Sequence, residues 1–128
     1  MPKFVIDSFA WIEYFIGSKK GELVKEILDN EKNEIFTSIL TVAEVASFTK
    51  RENKNAKEKC NDIVNISTIY GVDVDFAAEA GILHAEIRKR IKDFGLADIF
   101  VLLSARKLGA KIVTGDPHFR NFNEAIMI

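Results

Sequence analysis

Cysteine is almost missing from this chain: Cys60 stands alone among 128 residues. One thiol cannot close an intrachain disulfide, and no Cys/His group has zinc-site spacing, so a reducing cytoplasm is the compartment expected. Proline and glycine are sparse, at 2 and 7 residues, which excludes collagen-like and linker-rich chains. No uncharged apolar run approaches the roughly 20 residues of a membrane-spanning helix. Phe4-Val5-Ile6 is interrupted by Asp7, too early for the apolar core of a signal peptide. Excess positive charge is absent as well. The 18 Lys and Arg against 19 Asp and Glu leave a net charge of -1, which argues against nucleic-acid binding by bulk charge.

What remains is 48% hydrophobic and 29% charged. Such a chain can withdraw roughly two thirds of its unfolded surface from water without staples, and we read residues 1–128 as one domain. Lys3 to Ile6 is a β-rich run, after which Ser8 can N-cap an apolar helix, Phe9 to Ile16. Ser18 to Asn30 spaces Leu23, Val24, Ile27 and Leu28 as an amphipathic helix. Glu34 to Thr37 is a second strand. From Thr41 a helix passes Val42, Val45 and Phe48, then continues or restarts across the charged stretch Lys50 to Lys59 as far as Val64.

Ile69 to Val74 alternates as a third strand. A stripe of Phe76, Ala80, Leu83, Ile87, Ile91 and Phe94 then marks one long helix that Gly95 breaks. Leu96 to Leu108 is apolar enough over Ile99 to Leu103 to be nearly buried, and Gly109 closes it. Lys111 to Thr114 is a fourth strand and Ala125 to Ile128 a fifth. Strands alternating with helices, without hairpin signals, predict an α/β domain with a mainly parallel sheet covered on both faces.

In an open parallel sheet, active groups collect beyond the C-terminal strand ends. Asp7 and Asp116 each follow such an end. Asp98 heads the buried helix, where an acid also suits the helix dipole. Glu44 lies among Val42, Ala43, Val45 and Ala46, where Thr41-Val42-Ala43-Glu44 also matches a capping box. If the four converge, they repel one another, by roughly 4 kcal/mol for a pair 4 Å apart at an effective dielectric of 20, unless cations neutralise them. Oxygen donors favour Mg²⁺ or Mn²⁺, one or two ions. Ser8 and Thr114 place hydroxyls beside the strand-end acids. Arg88, Arg90 and Lys92 precede Asp98 and, with His118, are candidate substrate contacts.

Asp7-Ser8 after the first strand, Glu44 in the third helix, Leu96-Ala97-Asp98 opening a buried helix, and Thr114-Gly115-Asp116-Pro117-His118-Phe119 after the fourth strand resemble a PIN domain over the whole chain. The order is most similar to that of the small VapC-type toxins. That resemblance implies a Rossmann-like three-layer α/β/α sandwich with a central parallel sheet of four to five strands. It also implies a Mg²⁺- or Mn²⁺-dependent endoribonuclease site at Asp7, Glu44, Asp98 and Asp116, with Thr114 accompanying the last acid. A homodimer is implied too, and a small antitoxin covering the acidic site. Phe9 departs from the pattern, since a small polar residue often follows the Asp-Ser or Asp-Thr pair.

Two other readings compete with the nuclease. One is a catalytically weak PIN fold that binds RNA or protein. The other is a phospho-acceptor receiver, disfavoured because Ser8 stands where a second acid is needed and no Lys follows the fourth strand. Apart from the four candidate acids, 15 acidic residues face 18 basic ones. Affinity for phosphate should therefore depend on metal.

Overall fold

The computed structural model describes every residue from Met1 to Ile128. Five strands form one sheet: β1 (Lys3–Ile6), β2 (Glu34–Ser38), β3 (Thr68–Tyr70), β4 (Lys111–Thr114) and β5 (Ala125–Met127). Their order is β3-β2-β1-β4-β5, and every adjacent pair is parallel. Six helices connect them: α1 (Ser8–Ile16), α2 (Lys19–Asp29), α3 (Ile39–Arg51), α4 (Ala56–Ile66), α5 (Val74–Arg88) and α6 (Leu96–Leu108). A 3-10 turn, Pro117–Phe119, follows β4. This is the expected α/β sandwich, and its strand order differs from the 2-1-3-4-5 arrangement of phospho-acceptor receivers.

The strands are apolar on both faces because helices cover both. Val5 and Ile112 point into a core shared with Phe76, Ile87, Phe100 and Leu102 of α5 and α6. Their neighbours Ile6 and Val113 point the opposite way, toward Trp11, Val24, Val45 and Ile63 of α1 to α4. That alternation is the period-2 pleat of a strand. Trp11 is fully buried, and its indole N–H donates to the Thr37 hydroxyl across 3.1 Å, tying α1 to β2.

Several boundaries differ from those predicted. Asp7, not Ser8, caps α1: its Oδ1 accepts the Ala10 N–H at 2.9 Å, and Ser8 becomes the first helical residue. Ser38 caps α3, so Thr41 lies inside the helix, fully buried, and the Thr41–Glu44 capping box does not form. Of the two courses open between Thr41 and Val64, the chain restarts: there are two helices, separated where Asn53 adopts φ 58. β3 is shorter than the alternation suggested. Gly71 turns the chain at φ 81, and Asp73 caps α5 by accepting the Phe76 N–H at 2.8 Å. α5 ends at Arg88 rather than Phe94. The stripe nevertheless persists, because Phe94 remains fully buried against Phe119 and Phe122 at ring distances of 5.4 Å.

Candidate active site

The chain runs from β1 outward through β2 to β3 and then crosses back to lay β4 on the other side of β1. The strand order thus reverses between β1 and β4, and a crevice opens beyond their C-terminal ends. Asp7 and Asp116 sit at those ends. Glu44 enters from α3 and Asp98 from the first turn of α6. Together with Ser8, Phe9, Ile12, Val101 and Pro117, all four acids line one cavity of about 340 Å³.

Asp7 is the most enclosed of them, 5% exposed. Besides the Ala10 bond, it accepts a hydrogen bond from the Thr114 hydroxyl. Burial nonetheless pushes its pKa from 3.8 up to about 7, against the opposing pull of those two bonds, and the nearby Asp116 and Asp98 charges add to the rise. Thr114 Oγ1 in turn accepts the Asp116 N–H at 2.9 Å, so one buried hydroxyl joins the two strand-end acids.

Asp98 turns back on its own helix and accepts the Gly95 N–H at 3.0 Å. Its carboxyl is held above the usual range chiefly by burial, then by the Asp116 charge, with the Gly95 bond opposing. The Glu44 carboxyl is raised for the same first reason, with the Ser8 hydroxyl lowering it and the Asp98 and Asp116 charges raising it. No Lys or Arg forms an ion pair with any of these four acids. Negative charge is therefore concentrated here without a Lys or Arg to balance it.

His118 stands closer to the acids than a loop contact requires. Its Nδ1 lies 3.2 Å from Asp116 Oδ1 and 3.7 Å from Asp98 Oδ2, is shut off from solvent, and lacks a hydrogen-bond partner. Its Nε2 is held 2.9 Å from Asp93. The Asp93 contact raises the imidazole pKa, burial opposes, and the Asp116 charge adds to the rise. Sequence reasoning did not find Asp93, which sits in the turn after α5 with no local signal marking it. Arg88, Arg90 and Lys92 are exposed on or just beyond the end of α5, and none lines the cavity. Arg88 acts only at a distance, its charge helping to lower the Asp93 pKa.

Oxygen atoms of Asp98 and Asp116 and a ring nitrogen of His118 lie within 4.8 Å of one another, close enough to share a cation. The carboxylate-rich donor set, free of Lys and Arg, fits a divalent ion of the Mg²⁺ or Mn²⁺ type, with Asp7 and Glu44 at the same cavity.

The profile of the PIN domain family matches residues 4–125. Solved structures share the fold. One is VapBC2 from Rickettsia felis bound to a DNA fragment from their promoter, with a TM-score of 0.72 and 15% identity over 98% of this chain and 97% of that one. Another is the sarcin-ricin loop cleaving toxin VapC20 of Mycobacterium tuberculosis, with a TM-score of 0.71 and 16% identity over 94% and 97%. A third is DNA-bound VapBC from Salmonella typhimurium, with a TM-score of 0.70 and 19% identity over 100% and 98%. At these identities the likeness is one of fold. Among curated proteins no match is found.

Proposed function

The chain belongs to the PIN domain family, and on that premise we propose that it is a Mg²⁺- or Mn²⁺-dependent endoribonuclease, the toxin of a toxin-antitoxin pair. The observation that carries this reading is the convergence of Asp7, Glu44, Asp98 and Asp116, from four separate elements, on one cavity at the switch point of the sheet. Asp98 and Asp116 would hold the metal, with Asp7 and Glu44 completing the donor set and His118 Nδ1 at its margin. When bound, such an ion supplies an activated water and positive charge for the leaving oxygen of a phosphodiester.

The chain's own residues do the rest. Thr114 fixes the Asp7 carboxyl by hydrogen bond and, through the Asp116 N–H, sets the position of the second strand-end acid. The Gly95 N–H pins Asp98 on the first turn of α6. Asp93 orients the His118 ring so that Nδ1 faces the acids. Arg88, Arg90 and Lys92, exposed beside this face, are suited to guide phosphate from outside the cavity.

No helix is long and apolar enough to cross a membrane. We extend the reading to a cytoplasmic homodimer and to a small antitoxin that covers the acids. Structures of VapBC toxin-antitoxin complexes among the fold's neighbours support the latter. The test is incubation of the purified protein with structured and single-stranded RNAs, with Mg²⁺ or Mn²⁺ and then with chelator. Cleavage that needs the ion and falls by roughly 10² to 10³ in Asp98→Asn and in Asp116→Asn is the expected result. Cleavage that ignores chelator, or that is undiminished in both variants, overturns the site. RNA binding with no cleavage favours a catalytically weak binding module instead.

A further inference from the structure

Part of the lining of the acidic cavity is apolar. Phe9, the residue that departs from the family pattern, lines the cavity alongside Ile12 and Val101. Its ring is half-buried and occupies the space a side chain at 115 would fill: a Cβ there would fall 2.2 Å from the ring carbon Cε1. Gly115, between Thr114 and Asp116, is what admits the ring to the lip of the site. The second neighbour is a cation. Lys20 Nζ lies over the Phe9 ring, 5.3 Å from its centroid, and has no ion-pair partner.

Lys20 reaches this position because α1 and α2 cross almost in contact. A Cβ at Gly21 would stand 2.1 Å from the Glu13 carbonyl oxygen, so only glycine permits that approach. An aromatic face, an exposed ammonium above it and carboxylates beside it form a mixed surface. Its apolar part is of no use to a metal ion. Nucleobases stack on such rings irrespective of sequence, while adjacent cations take the phosphates.

We infer that Phe9 is a stacking platform for one base beside the scissile phosphate of a single-stranded RNA, with Lys20 displaced from the ring onto the adjoining phosphate; this rests on the nuclease reading above. The ring acts on substrate binding and leaves the acids untouched, so its loss raises KM and spares kcat. Stacking of one base is equivalent to about tenfold in affinity.

The test uses a short single-stranded oligoribonucleotide that the wild-type protein cuts, and copies carrying an abasic residue at each position around the cut. The expected result has three parts. One abasic position raises the wild-type KM about tenfold; Phe9→Leu raises it by the same factor on the intact oligonucleotide and adds nothing at that position; Phe9→Tyr behaves as wild type. Leu fills most of the same space, so a purely structural role for the ring would leave Phe9→Leu unaffected. Lys20→Gln should flatten the salt dependence of KM by about one phosphate contact. If Phe9→Leu cuts the intact oligonucleotide with the wild-type KM, or keeps the abasic penalty, the stacking platform is overturned while the nuclease stands. If the wild type cuts no RNA, both fall together.

Discussion

Asp7→Asn should stabilise the metal-free protein, the reverse of what loss of a buried, doubly hydrogen-bonded side chain ordinarily does. The carboxyl titrates at about 7 in the fold against 3.8 when exposed. Between those values the folded state keeps a proton that the unfolded state has released, so stability falls as pH rises through the window and levels off above it. At about 1.4 kcal/mol per unit, Asp7 costs the fold roughly 4 kcal/mol at pH 8, where it is ionised, and about 1.7 kcal/mol at pH 5, where it must hold a proton. Asparagine carries no charge but deprives the Thr114 hydroxyl of its acceptor, a loss of about 1 kcal/mol.

The net expectation is a gain of about 3 kcal/mol at pH 8 and less than about 1 kcal/mol at pH 5, or roughly 10 °C in melting temperature at the higher pH for a chain of this size. Asp98, Glu44 and His118, all raised, tilt the wild-type curve in the same direction. They are present in both proteins, so their tilt cancels in the difference except for the part of the Asp7 rise that the Asp98 charge supplies. Chelated samples melted by circular dichroism between pH 5 and pH 8 give the comparison directly. A variant less stable than wild type at pH 8, or a difference that does not grow with pH, would refute the argument. Millimolar Mg²⁺ should then raise the wild-type melting temperature more than that of the variant, because the charge that destabilises the free protein is the charge that holds the ion.

Three further outcomes are expected. Removing one carboxylate by Asp98→Asn or Asp116→Asn should lower kcat on a cleavable RNA by roughly 10² to 10³, the usual effect of losing one charge-stabilising group, and steady-state kinetics checks it. Gly21→Ala forces apart two helices whose backbones already touch, and should destabilise by about 1–3 kcal/mol in urea titration; an unchanged midpoint would contradict the close approach. Trp11→Phe leaves a void where half of the fully buried indole stood and loses the bond to Thr37, costing about 2–3 kcal/mol by the same titration, with Thr37 still held by Ser67 at 2.7 Å.

The sequence made legible what depends on local periodicity. Alternating Val5 and Ile6, or Ile112 and Val113, disclose a strand covered on both sides, and acids at strand ends disclose the crevice. Boundaries were harder, because competing caps lie one or three residues apart. Asp7 and Ser8 can both cap α1, and only the depth of the carboxylate in the fold decides between them. Val72 and Val74 look like a strand edge yet are 70% and 83% exposed, because Asp73 begins a helix between them. The break at Asn53 needs one left-handed residue that composition does not announce. Contacts made across the fold leave no local trace: Asp93 with His118, and Phe9 in the space beside Gly115.

The Thr114 hydroxyl that joins Asp7 to Asp116 has a broader meaning. β1 and β4 are adjacent parallel strands, and the distance between their ends is the ladder spacing of about 4.8 Å, fixed by peptide groups rather than by side chains. Continuing the register Ile6–Val113 places Asp7 opposite Thr114, so the hydroxyl that joins the two acids stands one backbone spacing from the first of them. A chain that folds this sheet inherits that length whatever its other residues are. Surface, helices and loops can change extensively while the gauge of the site remains constant, provided a carboxylate stands at each of the two strand ends and a hydroxyl between them.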